Sequence, residues 1–247
     1  MTLIKTIMAF GFTIIYALVL FPAGLLAYLL GFLGLRKPMT WFIYGIAFVW
    51  SRGIIFLTGC KMTVEGRENI PKEYGICYVS NHVGIFDIML VLAYIGRPFG
   101  FIAKKELLYL PIFNLWIHIL GGLFIDRKNI RKAIKTINLG IKKLQEGKNM
   151  IIFPEGTRSK GRGLLPFRSG AIKLATNSLA TIVPIAISGS YDVLEIDMRV
   201  HPAPVRIVFC PPIVTASMDP GERKHKLADN VQSIIEEALK TPPRCAE

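Results

Sequence analysis

A histidine and an aspartate, His82 and Asp87, stand five positions apart between an apolar strand-like run and a helix-like run. Residues five apart on a regular helix diverge by roughly 140°, so the two side chains cannot share one helix face. They can meet if His82 lies in the turn before the helix and Asp87 folds back from its first turn. A buried carboxylate then holds one imidazole nitrogen and leaves the other as a general base. The competing interpretation is a strand-end histidine that caps the helix and bonds locally.

Basic residues follow three further strand-like segments. Arg158 lies in the turn Phe153–Ser159, Arg127 follows the segment 123–125, and Lys105 follows the segment 99–103. Open α/β sheets bind ligands beyond the carboxyl ends of their strands. We therefore expect these cations to converge with His82 on the phosphate of a substrate that carries a hydroxyl group. Taken singly, Arg158 and Lys105 have an alternative interpretation as solvated residues, and Arg127 has one as part of a plain surface ion pair with Asp126.

The turn after the strand at 150–153 holds more candidates for substrate binding. The amides of Gly156 and Thr157 are expected close to the ligand, and Arg158 can grip a phosphate with two parallel hydrogen bonds. The alternative is an ordinary polar turn with a solvated arginine. We predict no metal site, because the other histidines are remote in sequence and form no H-E-x-x-H pattern.

Composition narrows the class of partner. The 247 residues carry a formal net charge of +13, which calls for an anionic partner. Nucleic acid, anionic lipid and a phosphorylated substrate all qualify, but 52% hydrophobic residues disfavour a nucleic-acid binder and favour a membrane surface. The four scattered cysteines form no C-x-x-C pair, which indicates reduced thiols in a cytoplasmic setting.

The amino-terminal region is predicted to be a membrane anchor. No charged residue occurs between Ile7 and Leu35, a stretch longer than the ~20 residues that cross a bilayer. A second apolar stretch, Met39 to Cys60, is interrupted by Ser51 and Arg52. Either both helices form a hairpin embedded in one leaflet, or the first spans while the second lies along or returns through the membrane. We favour the embedded hairpin, because positive charges occupy both flanks and the break.

The rest of the chain alternates strand and helix patterns, which predicts an α/β fold with a mostly parallel sheet flanked by helices. We assign residues 1–60 to the anchoring hairpin and residues 61–247 to the α/β domain. Strands are expected at 75–80, 99–103, 123–125, 150–153, 181–187 and 205–209. Helices are expected at 86–94, 107–120 with an interruption near Pro111, 129–146, 167–176 and 226–239.

Four motifs occur in order along residues 60 to 215: Asn81-His82-x4-Asp87, Gly121–Arg127, Phe153–Ser159 and Val183–Ile185. In these motifs the chain closely resembles the glycerolipid acyltransferase family. The block Phe153–Ser159 is highly specific, whereas an isolated H-x4-D is weak. The ending Ile125-Asp126-Arg127 is more similar to the enzymes that acylate 1-acyl-sn-glycerol-3-phosphate than to those that acylate glycerol-3-phosphate.

The resemblance implies acyl transfer from acyl-CoA or acyl-carrier protein to the 2-hydroxyl of lysophosphatidate, giving phosphatidate without a cofactor. His82 would be the base oriented by Asp87, and Lys105, Arg127 and Arg158 would hold the phosphate. For Glu155 two roles stay open: ordering the turn or binding a glycerol oxygen.

The partners implied are lysophosphatidate, the acyl thioester and membrane phospholipids, with no nucleic acid. The expected location is the cell membrane, with the α/β domain on its cytoplasmic face. The alternatives are an acyltransferase for glycerol-3-phosphate or another lysophospholipid, and a non-catalytic lipid-binding protein of the membrane surface.

Overall fold

The computed structural model describes residues 2–110 and 113–241. The strands are β1 (Lys61–Glu65), β2 (Cys77–Ser80), β3 (Phe99–Lys104), β4 (Leu123–Ile125), β5 (Asn149–Ile152), β6 (Ile182–Ser188) and β7 (Pro204–Phe209). The helices are α1 (Thr2–Phe32), α2 (Arg36–Thr58), α3 (Asp87–Tyr94), α4 (Phe113–Ile119), α5 (Ile130–Gln145), α6 (Ser169–Ser178), α7 (Ser190–Leu194), α8 (Pro220–His225) and α9 (Leu227–Lys240).

These strands form one sheet in the order β1-β7-β6-β2-β5-β3-β4. Neighbouring strands run parallel except β6 and β7, which are antiparallel. The predicted mostly parallel α/β fold is therefore confirmed. Strand β1 was not predicted from the sequence. It is five residues long and half exposed at the sheet edge, so it lacks the continuous apolar run of a central strand.

Alternating side chains of the central strands supply two separate cores. Tyr78 faces the first core together with α2 and α3, whereas Cys77 and Val79 face the second core together with α6 and α9. Both faces of β2 are fully buried. The helix expected at 107–120 with an interruption near Pro111 consists of a 3₁₀ turn at Lys105–Tyr109 and the helix α4, and Pro111 itself lies outside the described residues.

The two amino-terminal helices form a hairpin, which turns at residues 33–35 where Gly34 has a φ of +89°. The polar pair Ser51 and Arg52 interrupts the apolar sequence but not the helix, because α2 continues through both residues. The guanidinium of Arg52 lies 5.2 Å from the ring centroid of Tyr94 on α3. This cation–π contact places the charge against protein instead of bare lipid.

The hairpin shares its core with the sheet. Ile43 and Ala47 of α2 belong to the same buried cluster as Leu90 of α3 and Val183 of β6. The hydroxyl of Tyr44 donates to the Leu92 carbonyl and accepts from the Gly96 amide, both at 3.0 Å. The division of the chain at residue 60 stays a prediction, and the hydrophobic packing continues across it.

The outer surface of the hairpin is apolar. Both helices are long and apolar enough to cross a membrane. Large hydrophobic side chains of α1 are exposed along its length, among them Ile7, Ile15, Val19 and Leu26. A contiguous apolar surface of this kind marks a membrane or protein contact.

Candidate active site

The candidate site lies along one edge of the sheet. Strands β6, β2, β5, β3 and β4 run parallel to one another, so their carboxyl ends reach the same edge. His82 follows β2, Glu155 follows β5, Lys105 follows β3 and Arg127 follows β4. The parallel topology thus gathers the sequence motifs at that edge.

His82 and Asp87 are in direct contact. Asp87 is the first residue of α3, and His82 lies in the preceding loop, with 2.7 Å between His82 Nδ1 and Asp87 Oδ2. An ionised carboxylate only accepts hydrogen bonds, so Nδ1 carries the proton and Nε2 is the basic nitrogen. Asp87 is fully buried, whereas the imidazole is 18% exposed. The arrangement leaves Nε2 of His82 able to take a proton from a ligand.

Asp87 is fixed by four hydrogen bonds. Its Oδ2 atom also accepts from the amides of Val83 at 2.7 Å and Gly84 at 3.0 Å. Its Oδ1 atom accepts from the hydroxyl of Ser190 at 2.5 Å. Ser190 is fully buried and begins α7, directly after β6. These donors satisfy both oxygens of the carboxylate and fix its orientation towards His82.

The backbone of the loop 82–85 is held by three carboxylates. The amide of His82 donates to Glu155 Oε1 at 2.7 Å, and that of Ile85 donates to Glu195 Oε2 at 2.5 Å. Asp87 accepts the two amides between them. All four successive N–H groups therefore point at carboxylate oxygens, which fixes the loop that carries the base.

Glu155 faces inward and is 3% exposed. Besides the His82 amide it accepts the Leu165 amide at 3.3 Å. Burial raises the pKa of Glu155 to about 7, against the opposing effect of these two amides. The sequence left two roles open for Glu155, ordering its own turn or binding a glycerol oxygen. The observed contacts correspond to neither role, because the carboxylate positions the backbone of His82 and of Leu165.

Two glycines are required by close approach or conformation. A Cβ on Gly84 would lie 2.6 Å from Glu195 Oε2, so a side chain there would displace that carboxylate from the loop. Gly156 has a φ of +71°, which L-residues with a side chain rarely adopt. Both glycines bring backbone close to charged groups of the site.

The two arginines reach the site by different contacts. Arg158 forms an ion pair with Glu195, the same residue that accepts the Ile85 amide. Arg127 donates through Nη1 to the carbonyl of Gly156, which ties the β4 end to the turn after β5. Burial lowers the pKa of Arg127, with a further contribution from Arg168 nearby. The structure therefore brings both arginines to the motif turns.

Lys105 is bound differently from the sequence expectation. Its ammonium pairs with Asp126 at 2.7 Å, which raises the pKa of Lys105 and lowers that of Asp126. The alternative by which Asp126 pairs with Arg127 is wrong, because Asp126 has Lys105 as its partner. Both residues line a second depression with Lys132 and Lys135. Thr157 is exposed in the turn.

Phe153 and Asn81 hold His82 and its loop in place through two further contacts. The ring of Phe153 stacks on the imidazole, with 4.2 Å between centroids and 25° between planes. The side-chain amide of Asn81 bonds both backbone groups of Ile187 at 2.8 Å, so it continues the pairing of β2 with β6 past the strand end. Residues after β2 and β5 and the backbone of β6 therefore all help to hold His82 in position.

Sequence reasoning missed Ser190 and Glu195. Each lies more than a hundred positions from its partner in the loop. Their position in the sequence could have indicated them. Both residues follow the strand that contains Val183–Ile185, and residues that follow a parallel strand lie at the edge of the sheet where ligands bind. Within residues 2–110 and 113–241, no three histidine, cysteine or carboxylate side chains are grouped as metal ligands would be.

Comparison with protein families and curated proteins gives consistent matches. A family model described as Acyltransferase matches residues 61–188. A 1-acyl-sn-glycerol-3-phosphate acyltransferase of Escherichia coli is 33% identical over 181 residues, which cover 72% of this chain and 73% of that protein. One from Borreliella burgdorferi is 34% identical over 146 residues, which cover 58% of each chain. The matched part of this chain thus spans 58% of the Borreliella relative's length.

A solved structure matches the whole fold. The crystal structure of the 1-acyl-sn-glycerophosphate (LPA) acyltransferase PlsC from Thermotoga maritima superposes with a TM-score of 0.80 at 27% sequence identity. The alignment covers 100% of this chain and 98% of that one. The similarity therefore includes the amino-terminal helices as well as the sheet.

Proposed function

The chain belongs to the acyltransferase family, and on that basis we propose that it acylates the sn-2 hydroxyl of 1-acyl-glycerol-3-phosphate from an acyl thioester, giving phosphatidate. The observation that carries the proposal is the contact of His82 Nδ1 with a fully buried, four-fold hydrogen-bonded Asp87. Attraction of lipid to a surface needs no base, so this arrangement favours an enzyme over a lipid-binding protein.

The proposed step is direct transfer. Nε2 of His82 takes the proton of the sn-2 hydroxyl as its oxygen attacks the thioester carbonyl, and Asp87 stabilises the imidazolium that forms. Collapse of the tetrahedral intermediate breaks the C–S bond, and the departing thiolate takes the proton back from His82. The step needs neither an acyl-enzyme nor a cofactor, since the thioester supplies the activated acyl group.

The oxyanion of that intermediate needs hydrogen-bond donors. The amides of residues 82–85 are already bound to carboxylates. The amides of Thr157 and Arg158 donate to no acceptor in the described part of the chain. We place the oxyanion, or the acceptor's phosphate oxygens, at this turn.

The phosphate would be held by Arg158 and Arg127, with Lys105 at the margin. Arg158 now pairs with Glu195, so a dianionic phosphate must compete with that carboxylate. Glu195 keeps its bond to the Ile85 amide when Arg158 turns to the ligand. The exchange would bring the arginine to the substrate without disturbing the loop of the base.

The hairpin would embed in the membrane and hold the sheet edge near the lipid headgroups, on the cytoplasmic side where acyl thioesters are available. Support comes from the exposed apolar side chains of α1 and from the absence of acidic residues before Glu65 in the sequence. A substrate that stays in the bilayer then reaches the site without being extracted into water.

The test is thiol release by purified full-length protein given acyl-CoA or acyl-carrier protein, with lysophosphatidate and glycerol-3-phosphate offered separately. We expect turnover with lysophosphatidate and a loss of about 10²–10⁴-fold in His82→Ala. The matched control is His201→Ala, since His201 lies on the surface paired with Asp197 at 2.9 Å.

Each alternative has its own result. Preference for glycerol-3-phosphate or another acceptor would replace the proposed substrate and keep the mechanism. Full activity of His82→Ala would overturn the mechanism. Absence of release with every acceptor and both donor classes would leave a lipid-binding protein.

A further inference from the structure

One cavity lies at the opposite edge of the sheet from His82. It has a volume of about 880 Å³ and opens where β3 and β5 begin, at Phe99 and Asn149. One wall is the tip of the hairpin, from Ala27 to Trp41, and the other is the end of α5 near Lys143. The size is that of a ligand-binding site, and the proposed reaction uses none of these residues.

The lining is strongly cationic. Arg36, Lys37, Lys143 and Lys148 all contribute to it, and among the described lining residues Glu146 is the one acid. Glu146 is already paired with Lys148 at 2.8 Å. The cavity therefore carries an excess of positive charge that an anion would neutralise.

Two of these cations donate to backbone carbonyls. Arg36 Nε donates to the Gly31 carbonyl at 3.3 Å, and Lys143 Nζ donates to the Gly121 carbonyl at 2.6 Å. Burial lowers the pKa of Lys143, and the charge of Lys148 lowers it further. An anion beside Lys143 would stabilise its charged form.

The cavity is also apolar and adjoins an apolar tip. Met39, Trp41, Phe99 and Leu120 line it. At the same end of the hairpin Leu33 is 76% exposed, and Leu35 is exposed as well. A ligand for this place combines an anionic head with hydrocarbon chains and arrives from a bilayer.

We infer that the cavity binds one phospholipid with an anionic headgroup, with the headgroup among Arg36, Lys37, Lys143 and Lys148 and the chains against the hairpin. The lipid joins the hairpin tip to the amino-terminal edge of the sheet. The inference rests on the proposed membrane association and is independent of acyl transfer.

The experiment is native mass spectrometry of the full chain in detergent with phosphatidylglycerol or phosphatidylcholine of identical acyl chains. We expect one phosphatidylglycerol retained with about a tenfold preference, given the several cations at the site. The double variant Lys37→Glu/Lys148→Gln should abolish that preference. The control Lys61→Glu/Lys224→Gln changes the net charge equally, uses exposed lysines outside the cavity, and should keep it.

Equal retention of both lipids by the wild type would overturn the inference, and so would a preference that survives in the double variant. Loss of the preference in the control pair would reduce it to general charge attraction. If the double variant does not fold, Lys37→Glu alone serves, because an acid in the first turn of α2 is favourable.

Two further measurements distinguish a lipid headgroup in this cavity from a soluble anion and from lipid bound at the His82 edge. Added inorganic phosphate should not displace the lipid, and displacement would indicate a soluble-anion site. Arg158→Gln should retain the preference, since a loss there would place the lipid at the His82 edge. Lipid preference without acyl transfer would disprove the proposed function alone.

Discussion

The two halves of the ligand edge are built in opposite ways. After β6, β2 and β5, the charged groups Asp87, Glu155 and Glu195 are enclosed and accept backbone amides. After β3 and β4, Lys105 and Asp126 pair at the surface, with side chains 39% and 12% exposed. The first half holds the base in a single geometry, whereas the second holds Lys105 in a solvent-accessible ion pair that a phosphate can rearrange.

Asp87→Asn tests the enclosed half most severely. An amide cannot accept all four donors, so His82 loses its fixed tautomer and orientation. We expect kcat to fall by about 10²–10⁴-fold and the free energy of unfolding to fall by about 1–3 kcal/mol. Thiol release and denaturant unfolding measure the two. Asp192→Asn, on the exposed side of α7, is the control. Near-normal turnover would show that the enclosed half does not determine the orientation and tautomer of His82.

Ser190→Ala probes one hydrogen bond of the same half. Asp87 Oδ1 loses its hydroxyl donor, a charge-assisted bond whose removal we expect to lower kcat about tenfold. The loss should appear in kcat with KM for lysophosphatidate unchanged, because Ser190 acts only through the orientation of Asp87 and His82. A role confined to folding would leave kcat per folded molecule unchanged. Ser217→Ala, in an exposed turn, supplies the comparison.

Glu155→Gln tests how the burial of this carboxyl group makes the stability of the protein depend on pH. The pKa of Glu155 is about 7 in the folded chain, above its ordinary value, so its stabilising contribution is complete below about pH 4.3. That contribution is lost as pH rises through 7. We expect the Tm difference, wild type minus variant, to decrease between pH 5 and 7.5. A constant difference would contradict the burial effect, and Glu222→Gln on exposed α8 should give a flat baseline.

Lys105→Ala should have the smallest effect. A half-exposed ion pair contributes about 0–1 kcal/mol, so we expect KM for lysophosphatidate to rise by at most about fivefold with kcat unchanged. Steady-state kinetics beside Lys104→Ala, a neighbour paired with Glu106 at 3.5 Å, measure it. A hundredfold effect would mean that this half is as demanding as the other, and the contrast would fail.

The same contrast explains what could be predicted from the sequence. The contact of His82 with Asp87 joins residues five apart, so local geometry predicts it. The shared edge of the motifs follows from alternating strands and helices. Ser190 and Glu195 reach the loop from 103 and 110 positions away, and no local pattern distinguishes them from other polar residues after a strand. The partner of Asp126 depends on which of two cations, Lys105 or Arg127, turns towards it, and spacing does not determine that.

The hydrogen bonds of Tyr44 to the end of α3 mean that the hairpin cannot simply be replaced by the membrane anchor of another protein. Its hydroxyl holds Leu92 and Gly96, at the opposite end of the helix that begins with Asp87. A chimera that carried another protein's anchor would have to reproduce the complementary surface of α2, or α3 would lose its packing and Asp87 its register. Deleting the first sixty residues to make the protein soluble would remove part of the packed core, so detergents or nanodiscs are better suited to preparing the folded chain.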